Sequence, residues 1–361
     1  MVSPPPPPPR SSIESLQAGR AFAALAVLLF HVELTLALPQ YLAQDTFPIF
    51  RSGYSGVHFF FVLSGFVILM AHGRDIGRPG RAPTYAWKRV RRIYPPLWAA
   101  LLIATPATLL LPLLNNGNAF DALDVLSAIA LTPATHDPVL SVIWTLRHEA
   151  LFYAVFGLIL LRPRIGLAIA ALWMALSATL PWLGIDGWLR FFFTSQHLLF
   201  ALGAAAFLLF QRGKVPVPGL VMAAGLLLFA TTWAIPLLKL PLNGIIGNWA
   251  FGLGAALAVL GAASLEQTRG LPVPRWLSFL GEASYAIYLA HAPIVYATTA
   301  GALALAPQLR QAPVVLFILV TAAALAAGVA FHLWVERPLL DRLPHTPPRR
   351  RTDDPAKTAA P

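Results

Sequence analysis

Residues 313–335 read PVVLFILVTAAALAAGVAFHLWV, a stretch of 23 residues without lysine, arginine, aspartate or glutamate. A helix needs about 20 mostly apolar residues to cross the hydrocarbon core of a bilayer. This stretch therefore predicts a membrane-spanning helix. Working back towards the N-terminus, the chain offers nine more candidate spans, at residues 280–305, 244–263, 219–238, 191–210, 165–183, 144–161, 93–114, 54–71 and 16–38.

The composition of the whole chain agrees with this pattern. Apolar residues make up 57% of the 361 residues and charged residues only 11%, whereas soluble domains carry about 25% charged residues. The sequence therefore predicts an all-α integral membrane protein with about ten transmembrane helices. The longest stretch between spans is 115–143, in which residues 121–132 are expected to form a short interfacial or re-entrant helix.

The two ends of the chain are polar. Residues 1–10 contain six consecutive prolines and are predicted to be a disordered tail. Residues 11–340 form the predicted membrane domain, and residues 341–361 a disordered basic tail. The chain has no cysteine, which excludes disulfides and thiol chemistry. It also lacks zinc, Walker A and Gly-x-Ser-x-Gly patterns, so we expect no metal and no permanently bound cofactor.

Lysine and arginine are distributed unequally between the predicted sides of the membrane. With the N-terminus in the cytoplasm and alternating spans, 21 of the 26 basic residues fall on the cytoplasmic side and four on the outer side. The remaining one, Arg147, falls inside a span. Because cytoplasmic loops are enriched in basic residues, both termini are predicted to be cytoplasmic. Topology then explains most of the net charge of +11, and nucleic acid is not an expected partner.

Ionisable residues inside spans cost about 2.5–3.5 kcal/mol each, which makes them candidates for function. Arg20 and His31 are eleven residues apart on the first span, so they share a helix face about 16 Å apart along the axis. Glu33 points to nearly the opposite side of the helix. The alternative interpretation is that Arg20 reaches lipid phosphates and that His31 forms a hydrogen bond to another helix.

The second and fourth spans enter from the predicted outer side. His58 lies about one turn below that surface, while Ser64 and Gly65 are interpreted as a site of close helix packing. Trp144 is placed in the interfacial aromatic belt. Glu149 lies about 7 Å deeper than Trp144, close to the level of the histidines. A purely structural pairing of Glu149 with another helix remains the alternative.

Two further groups complete the predicted site. Ser284, Tyr288 and His291 form a polar stripe along one helix face, either as a binding wall or as a packing seam. Near the level of Arg20, a basic cluster precedes the third span: Lys88, Arg89, Arg91 and Arg92. The pattern suggests an anionic head group held at the cytoplasmic mouth, with proton-transfer chemistry further out. The alternative for the cluster is the ordinary enrichment of basic residues on that side.

Five motifs in the same order resemble acyltransferase family 3, the bacterial polytopic O-acyltransferases that modify surface polysaccharides and other hydroxylated acceptors. They occupy residues 20–31, 56–66, 88–95, 144–153 and 280–291, and the resemblance covers roughly residues 12–340. Two departures are visible. His58 stands where the family often has aspartate, and Arg147 with His148 replaces a small or apolar pair. With about 25 residues after the last span, the chain resembles the stand-alone form of the family.

The resemblance implies transfer of an acyl group, acetyl being the one expected, from acyl-CoA on the cytoplasmic side to a hydroxyl group. The expected acceptor is a cell-envelope or exported glycan or glycolipid, and the expected location is the bacterial cytoplasmic membrane, among membrane lipids. Acyl-CoA acts as a co-substrate. The acceptor, the length of the acyl group and the oligomeric state are not readable from the sequence.

With this chemistry, each candidate residue receives an expected role. His31 is the expected general base, since an ordinary histidine pKa of about 6.5 suits this task, and Glu149 is expected to orient it. Alternatively, His31 first accepts the acyl group covalently. Four residues are expected to hold the CoA phosphates: Arg20, Lys88, Arg89 and Arg92. Six are expected to bind substrate or to support the catalytic residues: His58, Trp144, Tyr153, Ser284, Tyr288 and His291.

Two other functions are compatible with buried charges. A transporter or flippase for a lipid-linked sugar or small anion also uses intramembrane His, Glu and Arg as proton relays, although no inverted repeat is visible in the chain. An inert assembly partner in an envelope complex would leave His31 without a purpose.

Overall fold

The computed structural model describes residues 13–111, 119–134, 140–213, 215–344 and 346. Within these residues the chain is helical and contains no β-strand, which confirms the predicted all-α class. The predicted tail at 1–10 and most of the one at 341–361 lie outside the described residues. The helices are α1 Glu14–Leu36, α2 Gly56–His72, α3 Ala82–Leu110, α4 Ala122–Ala130, α5 Ile143–Leu161, α6 Pro163–Thr179, α7 Gly187–Phe192, α8 Leu198–Gln211, α9 Pro218–Ala234, α10 Gly244–Arg269, α11 Arg275–Glu282, α12 Ser284–Leu305, α13 Pro313–Phe331 and α14 Arg337–Arg342.

Nine helical segments of the described chain are long and apolar enough to cross a membrane. The tenth predicted span forms α9, which has 17 residues and would extend about 26 Å at 1.5 Å per residue. This is slightly less than the hydrocarbon thickness of about 30 Å. The protein is therefore an integral membrane protein with nine or ten spanning segments, as predicted. Within the predicted range 121–132, Ala122–Ala130 form the expected short helix, α4, which begins with a capping box between Asp121 and Asp124.

The helices differ from the predicted spans in several places. Helix α3 begins at Ala82, eleven residues before the predicted start, because the basic cluster is itself helical and hydropathy alone marks only the apolar part. The span predicted at 191–210 is broken at Phe193 and Thr194, between α7 and α8. The opening stretch at 313–335 ends in a π-turn, His332–Glu336.

Helices α2 and α8 pack closely through glycine. A methyl group added to Gly65 would overlap the carbonyl oxygen of Phe200, and one added to Gly203 would overlap that of Val62. Small residues allow helix backbones to approach in this way inside a membrane. The packing interpretation of Gly65 is therefore confirmed, and it sets the rotation of α2 in the bundle.

Helix α1 is held at both ends by carboxylates. Glu266 from α10 accepts hydrogen bonds from the backbone amides of Glu14 and Ser15, at 2.9 and 2.8 Å. These amides have no partner within the helix, so the carboxylate acts as its cap. At the other end, Glu33 accepts from the amides of Thr46 and Phe47, both at 2.9 Å. As predicted, Glu33 does not serve His31.

Candidate active site

A cavity of about 170 Å³ lies at the end of the bundle that carries the start of α1. We call it the basic cavity, because three guanidinium groups line it: Arg20, Arg89 and Arg92. Among the described residues, none of the three forms an ion pair. Arg89 lies over the Tyr153 ring, 5.5 Å from its centroid, and its Nε atom has no hydrogen-bond partner in the described part of the chain.

Glu149 lies in the same cavity and supplies its negative charge. Its Oε1 atom accepts a 2.8 Å hydrogen bond from the Ser64 hydroxyl and a short one from the Tyr153 hydroxyl. Neither of its described hydrogen bonds reaches His31. The expectation that Glu149 orients His31 is therefore wrong for this structure, because Glu149 faces the arginines one cavity away.

Two serines and a tyrosine complete the wall of the basic cavity. Ser284 lines it, and its hydroxyl has no hydrogen-bond partner among the described residues. Ser64 was interpreted as a packing residue; its hydroxyl also donates a hydrogen bond to Glu149, and its side chain lines the basic cavity. Tyr285 also lines the cavity and donates to the Ile93 carbonyl at 2.8 Å.

Lys88 is not part of this arrangement. It is exposed and does not belong to the lining of the basic cavity. On a helix, residue 88 is turned about 100° from residue 89, whereas residues 89 and 92 are near neighbours on one face. The basic cluster is thus divided: Arg89 and Arg92 line the basic cavity, Arg92 at its exposed edge, whereas Lys88 does not.

The second cavity, of about 150 Å³, contains His31 and His58. We call it the histidine cavity, and its further lining includes Tyr54, Trp144 and Tyr288. His31, His58, His291 and Glu149 were predicted to converge at one depth; His31 and His58 share this cavity, whereas Glu149 lines the basic cavity. Val57 and Tyr288 line both the histidine cavity and the basic cavity, so the two cavities adjoin there.

The hydrogen bonds of His31 determine which of its ring nitrogens is basic. Nδ1 of His291 lies 3.1 Å from the Ile287 carbonyl, and Nδ1 of His31 lies 2.9 Å from the Val27 carbonyl. A carbonyl only accepts, so both Nδ1 atoms must be protonated. His31 Nδ1 then also donates to Nε2 of His291, at 3.2 Å. The lone pair of neutral His31 is left on Nε2, which has no hydrogen bond among the described residues.

His58 and Tyr288 are both anchored by other side chains. Nε2 of His58 lies 2.6 Å from Oδ1 of Asn248. The Tyr288 hydroxyl lies 2.7 Å from Oγ1 of Thr145, at the junction of the two cavities. Asn248 and Thr145 were not predicted, because a single amide or hydroxyl in an apolar span gives no pattern of its own.

His31, with a ring nitrogen that has no hydrogen bond among the described residues, lies beside a cavity lined by three guanidinium groups, and ionisable residues placed in this way inside a membrane mark a functional site. The chain belongs to a family of membrane acyltransferases, since the family model described as "Acyltransferase domain" matches residues 13–333. The resemblance noted in the sequence is therefore confirmed, and the protein is an acyltransferase rather than a transporter or an inert partner.

Two curated relatives agree with this assignment. The chain is 32% identical over 319 residues to "Exopolysaccharide production protein ExoZ" of Rhizobium meliloti (strain 1021), covering 83% of this chain and 93% of the relative. It is 27% identical, over an alignment of 384 positions, to "Acyltransferase MdmB" of Streptomyces mycarofaciens, covering 97% of each. No solved structure gives a significant match.

Proposed function

We propose that the protein transfers an acyl group, acetyl in the simplest case, from acyl-CoA to a hydroxyl of a cell-envelope or exported glycan. One observation carries this proposal: the basic cavity adjoins the cavity that contains the free Nε2 of His31. The glycan acceptor is supported by the relative named for exopolysaccharide production. The donor is supported by the chemistry of the basic cavity.

The CoA phosphates are assigned to the basic cavity. Arg20, Arg89 and Arg92 present guanidinium groups that have no carboxylate of the described residues within ion-pair distance. Such groups bind phosphate oxygens through charge-assisted, often bidentate hydrogen bonds. Arg20 and His31 are about 16 Å apart along α1 at 1.5 Å per residue, a distance that an extended pantetheine arm covers. The arm would pass Val57 and Tyr288, where the cavities adjoin.

The transfer step is assigned to Nε2 of His31. As the acceptor oxygen attacks the thioester carbonyl carbon, Nε2 takes the proton of the hydroxyl group, the C–S bond breaks, and the proton passes to the CoA thiolate. The products are an ester and CoA thiol. The same lone pair could instead attack the thioester and carry the acyl group as acyl-histidine. Acyl label retained on the wild type but not on His31→Ala, with donor alone, would favour the second route.

The remaining site residues support the binding of the CoA phosphates and the transfer step at His31. Glu149 is assigned to the basic cavity, where its charge balances the arginines while Ser64 and Tyr153 hold its position. Ser284 has a free hydroxyl for the donor. His291, through its bond to His31, is a positioning residue for the base.

The orientation of the bundle is part of the proposal. The basic cavity would face the cytoplasm, where acyl-CoA is made, with both chain termini on that side. Because the chain has no cysteine, single-cysteine variants can test this in intact cells. A membrane-impermeant maleimide should label Gln311→Cys, in the loop before α13, and spare Gly80→Cys, before α3. Labelling of Gly80→Cys alone would reverse the orientation.

Mass spectrometry of surface glycans tests the function itself. A strain lacking the gene should lose one acyl mass increment, which the wild-type gene restores and His31→Ala does not. His72→Asn is the matched control. His72 is a buried histidine at the last position of α2, but it binds Asp75 at 3.0 Å and lines neither cavity. Full restoration by His31→Ala at equal protein level would exclude both assigned roles of His31.

A further inference from the structure

A polar cleft of about 710 Å³ opens at the end of the bundle opposite the basic cavity. This volume is within the range of about 300–1,000 Å³ that is typical of ligand sites. The cleft lies among the start of α5, the short helix α7, the break before α8 and the start of α10. Its lining includes Trp144, His148, Asp186, Arg190, Gln196 and Asn248.

The cleft is continuous with the histidine cavity. Trp144 and Gln196 line both. Asn248 connects them as well, since it binds His58 through Oδ1 at 2.6 Å and donates through Nδ2 to Ser195 at 2.9 Å. The histidine cavity, which contains His31, therefore lies between the basic cavity and the cleft. A molecule in the cleft lies on the side of His31 away from the arginines.

His148 is built rigidly into the wall of this cleft. Its Nδ1 lies 3.0 Å from Nε2 of His197, whose own Nδ1 lies 3.3 Å from the Ser177 hydroxyl. The ring is stacked on Phe191, with centroids 4.7 Å apart. Because Nδ1 is occupied, only Nε2 remains for a ligand in the cleft. Nothing in the transfer step uses this pair of histidines.

The charge of the cleft indicates the kind of ligand. Asp186 and Arg190 contribute one charge of each sign, and neither forms an ion pair among the described residues. Amide groups and the half-exposed Trp144 ring supply hydrogen bonds and a flat apolar face. This combination suits sugar rings, which are polar at their hydroxyl groups and apolar on their faces. It offers no excess of cations for a polyanion.

We propose that this cleft is the acceptor subsite, that it binds the sugar rings of a neutral, hydroxyl-rich glycan, and that His148 helps to select the acceptor. The inference rests on the proposed function and extends it. The acceptor enters from the cleft and the donor from the basic cavity. They meet at Nε2 of His31, and each substrate has its own set of binding residues.

Steady-state kinetics of the purified protein in detergent distinguish the residues that bind the acceptor from those that bind the donor. The probes are acetyl-CoA and oligosaccharides released from the surface glycans of a strain lacking the gene. We expect His148→Ala to raise the acceptor KM about tenfold, as loss of a buried hydrogen bond would, with the acetyl-CoA KM unchanged. Asp186→Asn and Arg190→Gln, at exposed positions just before and within α7, should raise the acceptor KM with little effect on folding. Arg269→Gln, exposed at the opposite end of α10, is the control.

Two results would overturn the proposal. One is an acceptor KM that stays at the wild-type value in all three cleft variants while transfer proceeds. The other is a preference for uronate-containing oligosaccharides over neutral ones. Failure of the proposed function looks different, because the wild type would then neither transfer acetyl to any oligosaccharide nor release CoA thiol from acetyl-CoA.

Discussion

Replacing His31 with alanine removes the free lone pair that our assignment places on its Nε2 atom in the histidine cavity. A general base contributes about 10²–10⁴-fold to a rate, which corresponds to about 3–5 kcal/mol of transition-state free energy. Folding should suffer little, because both hydrogen bonds of His31 leave from Nδ1 and the Val27 carbonyl is a helix carbonyl. We therefore expect kcat/KM to fall at least 100-fold with little change in thermal stability.

The same geometry predicts a much smaller effect at His291. Alanine at this position removes one of the two acceptors of His31 Nδ1, but the Val27 carbonyl, at 2.9 Å, still holds the proton there. The lost interaction is a single hydrogen bond, worth about 0.5–1.5 kcal/mol, or about twofold to tenfold in rate. The double variant should be no slower than His31→Ala, because His291 acts through His31.

The assay is transfer of radiolabelled acetyl from acetyl-CoA to glycan from a strain lacking the gene, with purified protein and with stability followed by thermal unfolding. The decisive quantity is the ratio of kcat/KM of His31→Ala to kcat/KM of His291→Ala. More than a tenth of wild-type activity in His31→Ala, or equal losses in the two variants, would refute the assignment of Nε2 as the base.

Three further predictions concern binding and folding. Arg89→Ala should raise the acyl-CoA KM about tenfold to 100-fold, because it removes a charge-assisted hydrogen bond of about 1.5–3 kcal/mol. Lys88→Ala should change the acyl-CoA KM by less than about threefold. Equal effects of the two substitutions would contradict the division of the basic cluster. Gly203→Ala should destabilise the protein by about 1–3 kcal/mol through overpacking against α2, while Gly301→Ala, with nothing within 4 Å of its added methyl, should not lower the melting temperature. Glu266→Ala should cost about 0.5–2 kcal/mol, the value of a helix cap, and an unchanged melting temperature would show that the α1 amides find another partner.

Much of the fold could be predicted because hydropathy is a local property. Each apolar stretch of sufficient length had to become a helix, since a backbone in hydrocarbon must satisfy its own hydrogen bonds. The errors occur where this rule stops applying. The basic start of α3 is helical but charged, and the span at 191–210 is broken at Phe193 and Thr194, beside the polar cleft. Hydropathy also did not predict the π-turn after α13.

The sequence predicted which residues belong to the candidate site but not which of them contact one another. Arg20, His31, Glu149 and His291 stood out because each is polar within an apolar span, where an unused ionisable group is costly. Which of them meet depends on how the helices are rotated about their axes, and that is set by packing such as the contact of Gly65 with α8. No local pattern encodes this rotation.

The sequence by itself determined the class of protein, the number of spans within one, and the set of polar residues available for chemistry, because all three follow from composition along single helices. Tertiary structure decided that Glu149 faces the arginines, that His291 holds His31, and that Lys88 stays outside. It also placed His148 on His197 beside the polar cleft. These are contacts between helices far apart in the chain, and they exist only once the bundle has packed.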